Sequence, residues 1–242
     1  MSQIPLLSAP APPSYPGIDI RVGSVEELIE ELIAGTEEPT LVSADPPWRY
    51  QQAPGHSANP DNHYRTQDIM TIARNVARAY QAAGPRCRLA LWITFPFVQS
   101  WEDAIRSQEV QLRCPGWRWR YVSGGSWTKL GGSGTGHHWI GQAELVQLYV
   151  KGKGLPMTWN GLTNAHVSYK GAHSEKPVEW MELWLKRWTN YGDLVVDLYC
   201  GLAPLARACL ATGRRYVGVD ISEQRVADAK LSLARFASDR GL

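Results

Sequence analysis

No two cysteines in this sequence have the CxxC spacing of a zinc or redox site. Cys87, Cys114, Cys200 and Cys209 also lack the pattern of a small secreted scaffold, so they read as reduced thiols of a cytoplasmic protein. The six histidines (His56, His63, His137, His138, His166 and His173) fall in loop-like stretches without i, i+4 spacing, which argues against a metal centre. No uninterrupted apolar run reaches membrane-spanning length, and the N-terminus has no basic-then-apolar signal pattern. A soluble protein with no membrane partner is expected. A marked excess of either charge is missing as well. The formal net charge is +2 and the pI near 8.3, too mild to establish a polyanionic partner, although clustered arginines can still build a local basic groove.

The 242 residues are 44% apolar and 20% charged, which suits a globular chain able to bury its core without staples. Residues 1–17 hold five prolines and little periodicity, so we expect a flexible leader there and a single domain over residues 18–242. Ser24, with Glu27 three residues on, forms a capping box for a first helix with Leu28, Ile29, Leu32 and Ile33 as its apolar stripe. Buried strands are predicted at 39–44 and 87–94. A helix is predicted from Thr66 to the stop at Gly84-Pro85, and another from Pro96 through Val98, Trp101 and Ile105. Trp117 to Lys129 reads as a strand interrupted at Gly124-Gly125, followed by a glycine-rich loop at 131–136 and a strand at 144–151. From Lys176 onward helix, strand, helix, strand and helix alternate over 176–188, 193–198, 204–212, 216–219 and 222–236. That alternation implies an α/β fold with a mainly parallel sheet flanked by helices on both faces.

Two stretches carry chemistry. Val195 to Ala203 is an apolar strand running into a small-residue turn, and Tyr216 to Asp220 is a second strand ending in an acid. In a nucleoside-binding crevice such a turn lets the ligand approach the backbone, and the later acid takes the ribose hydroxyls, here Asp220. The glycines suit a pyrophosphate poorly, since Gly201 is followed by Ala203 and Pro204. The same segment also reads as a purely structural βαβ unit. Nor is the 131–136 loop a phosphate loop, for it lacks the Lys-Ser/Thr ending. The second stretch, Asp45-Pro-Pro-Trp48 at a strand end, is more specific. A carboxylate and a carbonyl held on a proline-stiffened turn can accept both N–H groups of an exocyclic adenine amine, sharpening a weak nucleophile, while the indole offers a face to an unstacked base. Taken alone, Asp-Pro-Pro is equally a rigid turn whose Asp caps a neighbour. Cytosine-C5 chemistry is disfavoured because no Pro-Cys pair is present. Arg86, Arg88, Arg113, Arg118 and Arg120 near Trp117 and Trp119 form either a phosphate-and-stacking surface or solvated charges around core aromatics.

Asp45-Pro-Pro-Trp48 resembles the signature of the MT-A70 family, which includes RNA and DNA adenine-N6 methyltransferases. Asn62-His-Tyr64, Leu91-Trp-Ile-Thr-Phe-Pro-Phe97, Gly134-Thr-Gly-His-His-Trp139 with Glu144, and His173-Ser-Glu-Lys-Pro177 resemble further family segments in the family's order. The segment from Lys176 to Asp220 is similar to that of the β-class DNA amino-methyltransferases, departing from their turn at Leu198 and Ala203. The resemblance implies a Rossmann-like methyltransferase fold in permuted motif order, with S-adenosyl-L-methionine as cofactor. It implies that Asp45, Pro46, Pro47 and Trp48 are catalytic. Cofactor contacts fall to Asp45, Lys176, Asp197, Leu198, Tyr199, Gly201, Asp220 and Ile221, and substrate contacts to Trp48, Tyr64, His138 and Glu144. DNA is the favoured polymer, with RNA methylation or a non-catalytic nucleic-acid-binding subunit as alternatives. A homodimer or a partner subunit stays open.

Overall fold

The computed structural model describes residues 14–50, 65–130, 142–153, 163–169 and 175–242. The strands are β1 (Ile18–Val22), β2 (Leu41–Ala44), β3 (Arg88–Ile93), β4 (Arg120–Leu130), β5 (Ala143–Val150), β6 (Ala165–Tyr169), β7 (Leu194–Asp197) and β8 (Arg215–Asp220). The helices are α1 (Val25–Ala34), α2 (Ile69–Ala82), α3 (Val98–Ile105), α4 (Gln108–Arg113), α5 (Val178–Trp188), α6 (Pro204–Thr212) and α7 (Glu223–Arg240). All eight strands join one sheet in the order β1-β8-β7-β2-β3-β5-β4-β6. The run β1-β8-β7-β2-β3 is parallel throughout, β5 pairs antiparallel with β3 and β4, and β6 adds in parallel to β4.

Strand periodicity sorts the core into two layers. Along β3, Leu89, Leu91 and Ile93 point to one face, where they meet Leu28 and Ile29 of α1, Ile72 and Val76 of α2 and Trp101 of α3. Ala90 and Trp92 point to the other face and pack with Trp180 and Trp184 of α5, Leu205 of α6 and Val226 of α7. Trp92, Trp101, Trp127 and Trp184 are fully buried, so much of the tryptophan content is core. Each such indole removes roughly 150–250 Å² of mostly apolar surface from water, a leading share of the packing energy.

The chain leaves β2 toward β3 in one direction and β7 toward β8 in the other. The β2–β7 boundary is therefore a topological switch point, with a crevice at the carboxyl ends of the strands. Helix ends fit their sequence signals. Ser24 and Glu27 form the expected reciprocal capping box on α1. Asp68, rather than Thr66, starts α2, because its carboxylate takes the Thr71 N–H at 3.0 Å.

Three elements were not anticipated: β1, α4 and β6. The short β1 sits outside β8 with only Ile20 buried, so it lacks a marked apolar pattern. The pair Gly124-Gly125 does not interrupt β4; its irregularity falls between Tyr121 and Ser123. Gly125 instead marks close packing. A β-carbon there would lie 3.0 Å from the Asn164 carbonyl oxygen and 3.1 Å from the Trp180 ring. Arg88 is buried and donates to the Trp188 carbonyl at 2.9 Å, while Trp117 and Trp119 are core residues. The arginine–tryptophan cluster is thus not a stacking surface: its rings and Arg88 are consumed by packing. Of residues 1–17, expected to form a leader, only 14–17 are described; the Gly17 carbonyl accepts the Tyr216 N–H at 2.8 Å.

Candidate active site

β2 carries Asp45 to the switch point, and the two prolines that follow stop the strand and fix the backbone. The turn is tied at two points. The Pro46 carbonyl accepts the Trp48 N–H, and the Pro47 carbonyl accepts the Gln67 N–H, both at 2.9 Å. Each carbonyl keeps a second lone pair. The Trp48 indole N–H donates to the Trp92 carbonyl at 3.3 Å, and its ring stacks on Phe97 with centroids 5.1 Å apart. Trp48 borders the cleft but is only 5% exposed, so the face expected to receive a base is largely spent on packing. Among the described residues, the strongly exposed aromatic lining the cleft is Phe95, 61% exposed, two residues past the end of β3. Tyr50 and Thr94 share a 2.8 Å hydroxyl hydrogen bond that ties the Asp45–Trp48 turn to that strand end.

Beside the turn lies a cluster of two carboxylates and two ammonium groups. Lys176 Nζ donates to Asp45 Oδ2 at 2.5 Å and lies 3.1 Å from Glu144 Oε2; Lys129 pairs with the other Glu144 oxygen. The ammonium of Lys176 sits 5.2 Å above the Trp92 ring, and that of Lys129 5.2 Å from the Trp127 ring. Antiparallel pairing explains part of the assembly. Glu144 of β5 stands opposite Trp127 of β4, so it shares a sheet face with Trp127 and Lys129. Lys176 comes from the extended segment before α5, which starts at Val178 because Pro177 occupies its N-cap. Burial raises the Asp45 carboxyl above its ordinary range, with Lys176 pulling against it. Burial also opposes ionisation of Glu144, but Lys176 and Lys129 outweigh it and hold that carboxyl below its usual value. Lys176 is desolvated, yet Asp45 and Glu144 raise its affinity for a proton.

On the far side of the switch point, the Leu198 N–H donates to the Ser43 carbonyl at 3.0 Å, stitching the end of β7 to β2. Asp197 is buried and accepts the Tyr216 hydroxyl at 3.2 Å. Burial pushes its carboxyl up to about 7, against the Tyr216 hydrogen bond. The turn that follows runs through Gly201 at φ 53° and Ala203 at φ 50°. Ala203 therefore preserves the left-handed conformation that a glycine would adopt freely, at a cost of about 1–2 kcal/mol. Asp220 receives the Gly201 N–H at 3.2 Å on one oxygen and the Ser222 N–H at 2.9 Å on the other, leaving lone pairs toward the cleft. Tyr199 ties this turn to the rest of the site. Its hydroxyl donates to Gln67 at 3.1 Å and accepts from Asn75 at 3.4 Å, and Asn75 also donates to Glu26 at 2.8 Å.

These groups line one cleft of about 1690 Å³ across the carboxyl ends of β2, β3, β7 and β8. It brings together Asp45, Pro46, Pro47, Trp48, Glu144, Lys176, Asp197, Leu198, Tyr199, Gly201, Asp220 and the exposed Ile221. Tyr64 and His138 lie outside the described residues, as do the resembling segments at 62–64 and 134–139. Sequence reasoning missed Lys129, Gln67 and Phe95. Lys129 was legible in principle, two residues after a buried tryptophan on an alternating strand; Phe95 lies inside the resembling segment 91–97 without being marked there as a contact, and Gln67 carries no local signal. No group of histidine, cysteine and acidic residues suited to a metal ion occurs among the described residues. No helix among them is long and apolar enough to cross a membrane.

A family model described as DNA methylase, of the N6/N4 type, matches residues 94–231, more than half of the chain. The match begins after Asp45–Trp48 and takes in Glu144, Lys176, Asp197 and Asp220. The fold is similar to that of M1.HpyAVI in complex with SAM, with a TM-score of 0.66 and 16% identity over 89% of this chain and 99% of that one. It is also similar to TTHA0409 from Thermus thermophilus, complexed with S-adenosyl-L-methionine (TM-score 0.60, 18% identity, 90% and 93% covered). A third similar structure is the cytosine-N4-specific PvuII DNA methyltransferase (TM-score 0.63, 10% identity, 92% and 94% covered). No curated protein sequence matches the chain. At such identities the structures establish a Rossmann-like methyltransferase fold, and the family match settles the class: the chain belongs to the N6/N4 DNA methylase family.

Proposed function

We propose that this protein methylates the exocyclic N6 amine of adenine in DNA, using S-adenosylmethionine. The observation that carries this reading is the Asp45-Pro-Pro-Trp48 turn fixed at the switch point, with its carboxylate paired to a buried Lys176. The remainder of the cleft suits the cofactor. Asp220 holds acceptor capacity suited to ribose hydroxyls, and Asp197 offers a buried carboxyl suited to a cationic ligand. At about 1690 Å³ the cleft exceeds the roughly 300–1,000 Å³ of a single small-molecule pocket, leaving room for a base beside a nucleoside.

When bound, S-adenosylmethionine supplies an electrophilic methyl group on a sulfonium. The protein's part is to prepare the amine. Asp45 accepts one N–H of the amine and the free lone pair of the Pro46 carbonyl accepts the other, so the nitrogen becomes more tetrahedral and nucleophilic. Lys176 pulls against the burial that raises the Asp45 carboxyl and so favours its charged form, and Glu144 and Lys129 balance the cluster. No strong general base is required, because the methylated amine is acidic enough to release its proton to water.

The resemblance of Asp45–Trp48 to the MT-A70 signature favours adenine N6 over cytosine N4, and the β-class character of residues 176–220 favours DNA over RNA. The ordered ion pair and open cleft weigh against a non-catalytic subunit. Transfer of radiolabelled methyl from S-adenosylmethionine to DNA tests the reading. Label is expected with the wild type and is lost with Asp45→Asn; equal labelling by both proteins would refute it.

A further inference from the structure

We infer that the cleft rim formed by Arg49, Arg65 and Phe95 holds the nucleic-acid strand that carries the target base, the arginines on its phosphates and Phe95 stacked on a base. This rim presupposes a nucleic-acid substrate, as proposed above, and extends it to residues outside the amine-activating cluster. All three side chains are exposed and line the same cleft as Asp45.

Arg49 and Arg65 flank the catalytic turn on two adjacent passes of the chain, which are joined by the pairing of Trp48 with Gln67. The Arg49 Nε donates to Thr66 Oγ1 at 3.3 Å, which aims the guanidinium without consuming its outer nitrogens. Many surface arginines are taken up by acids, Arg21 with Glu31, Arg78 with Glu30 and Arg240 with Glu182 among them, and the exposed Arg86, Arg118, Arg120 and Arg235, which are not among the described residues so paired, lie off the cleft. Arg49 and Arg65 have no carboxylate partner among the described residues. A planar guanidinium with open N–H groups matches a phosphate's oxygens in two parallel hydrogen bonds. In a chain of net charge +2, two such groups at one cleft mouth supply local attraction that the overall charge does not.

Phe95 is exposed for a structural reason. It opens the short helical turn Phe95–Phe97, in which Phe97 turns inward under Trp48 and Tyr50. The inner position is thereby filled, and Phe95 is left projecting from the end of β3 beside the catalytic turn. An exposed phenylalanine held in place at a cleft mouth is a stacking platform, tolerant of any base.

Fluorescence anisotropy with labelled single-stranded DNA, read across a salt series beside steady-state methylation kinetics, tests the rim. The changed side chains are exposed, so the variants should melt like the wild type. For the double variant Arg49→Gln with Arg65→Gln, the slope of log affinity against log salt should fall by about 1.4 on single strands, about 0.7 for each lost phosphate contact. Phe95→Leu should weaken binding roughly 5- to 150-fold without changing that slope, while Phe95→Trp stays near the wild type. Both changes should raise KM and leave kcat nearly unaltered. Arg49→Lys with Arg65→Lys should keep the wild-type slope, and Arg240→Gln should change nothing. An unaltered slope in the glutamine variant, or unaltered affinity in Phe95→Leu, overturns the rim. Methyl transfer at wild-type KM by every variant would sink the rim alone. Rim-dependent DNA binding without any methyl transfer would sink the methylation reading alone.

Discussion

Replacing Lys176 with methionine keeps the length of the side chain and removes the one ammonium that touches both Asp45 and Glu144. In the wild type that ammonium lies 2.5 Å from Asp45 and 3.1 Å from Glu144, with 9% of its side chain exposed. Breaking a fully buried pair leaves an uncompensated charge and costs about 3–5 kcal/mol. Two features reduce the figure here. The Asp45 side chain is 38% exposed, and Glu144 retains Lys129, so we expect a loss of about 2–4 kcal/mol near neutral pH. The pH dependence is the sharper signature. Without the ammonium, at least one carboxyl has a folded-state pKa further above its unfolded value. Such a group binds a proton more tightly when folded, so the variant gains stability relative to the wild type as pH falls. Urea unfolding at about pH 8 and about pH 5.5 should show the deficit shrinking by about 1–2 kcal/mol at the lower pH. Lys176→Met unfolding with the same pH profile as the wild type would refute the picture of a lysine that lowers the proton affinity of the two carboxylates it touches.

Other outcomes follow from the same geometry. Asp197 keeps its proton up to about pH 7 when folded, against 3.8 for the ordinary group, so its ionisation costs the free protein stability as pH rises through that window. A cationic ligand beside it reverses the preference. Affinity for S-adenosylmethionine by calorimetry should rise toward about pH 7 and then level off, and Asp197→Asn should flatten the profile. Ala203→Gly should relieve the left-handed strain at φ 50° and raise the melting temperature slightly, a net gain of up to about 1 kcal/mol after the entropy of glycine is counted. A valine at the same position should lower it. Gly125→Val should cost about 1–3 kcal/mol in urea unfolding, because its side chain would press on the Asn164 carbonyl and the Trp180 ring.

The parts legible in the sequence were those whose physics is local. The capping box at Ser24, the apolar run ending at Asp45 and the strand–turn–helix from Val195 to Thr212 each contain their own signal, and each appears where expected. The cluster around Lys176 was legible only in part. Asp45, Glu144 and Lys176 could be singled out by pattern, but their contact depends on β5 running antiparallel beside β3, which no local stretch specifies. For Trp48, an aromatic after two prolines suggests an exposed ring. Phe97, far away in sequence, covers it, and Phe95 is left exposed instead. β6 escaped notice because its five residues alternate between exposed and half-buried, with little apolar weight to mark a strand.

The central claim is the identity of the modified atom. Nucleoside mass spectrometry after incubation of the protein with S-adenosylmethionine and mixed-sequence DNA, with RNA in parallel, tests it most directly. We expect N6-methyladenine in DNA, absent when Asp45→Asn replaces the wild type. N4-methylcytosine in place of N6-methyladenine, N6-methyladenine in RNA alone, or undiminished methylation by Asp45→Asn would contradict it.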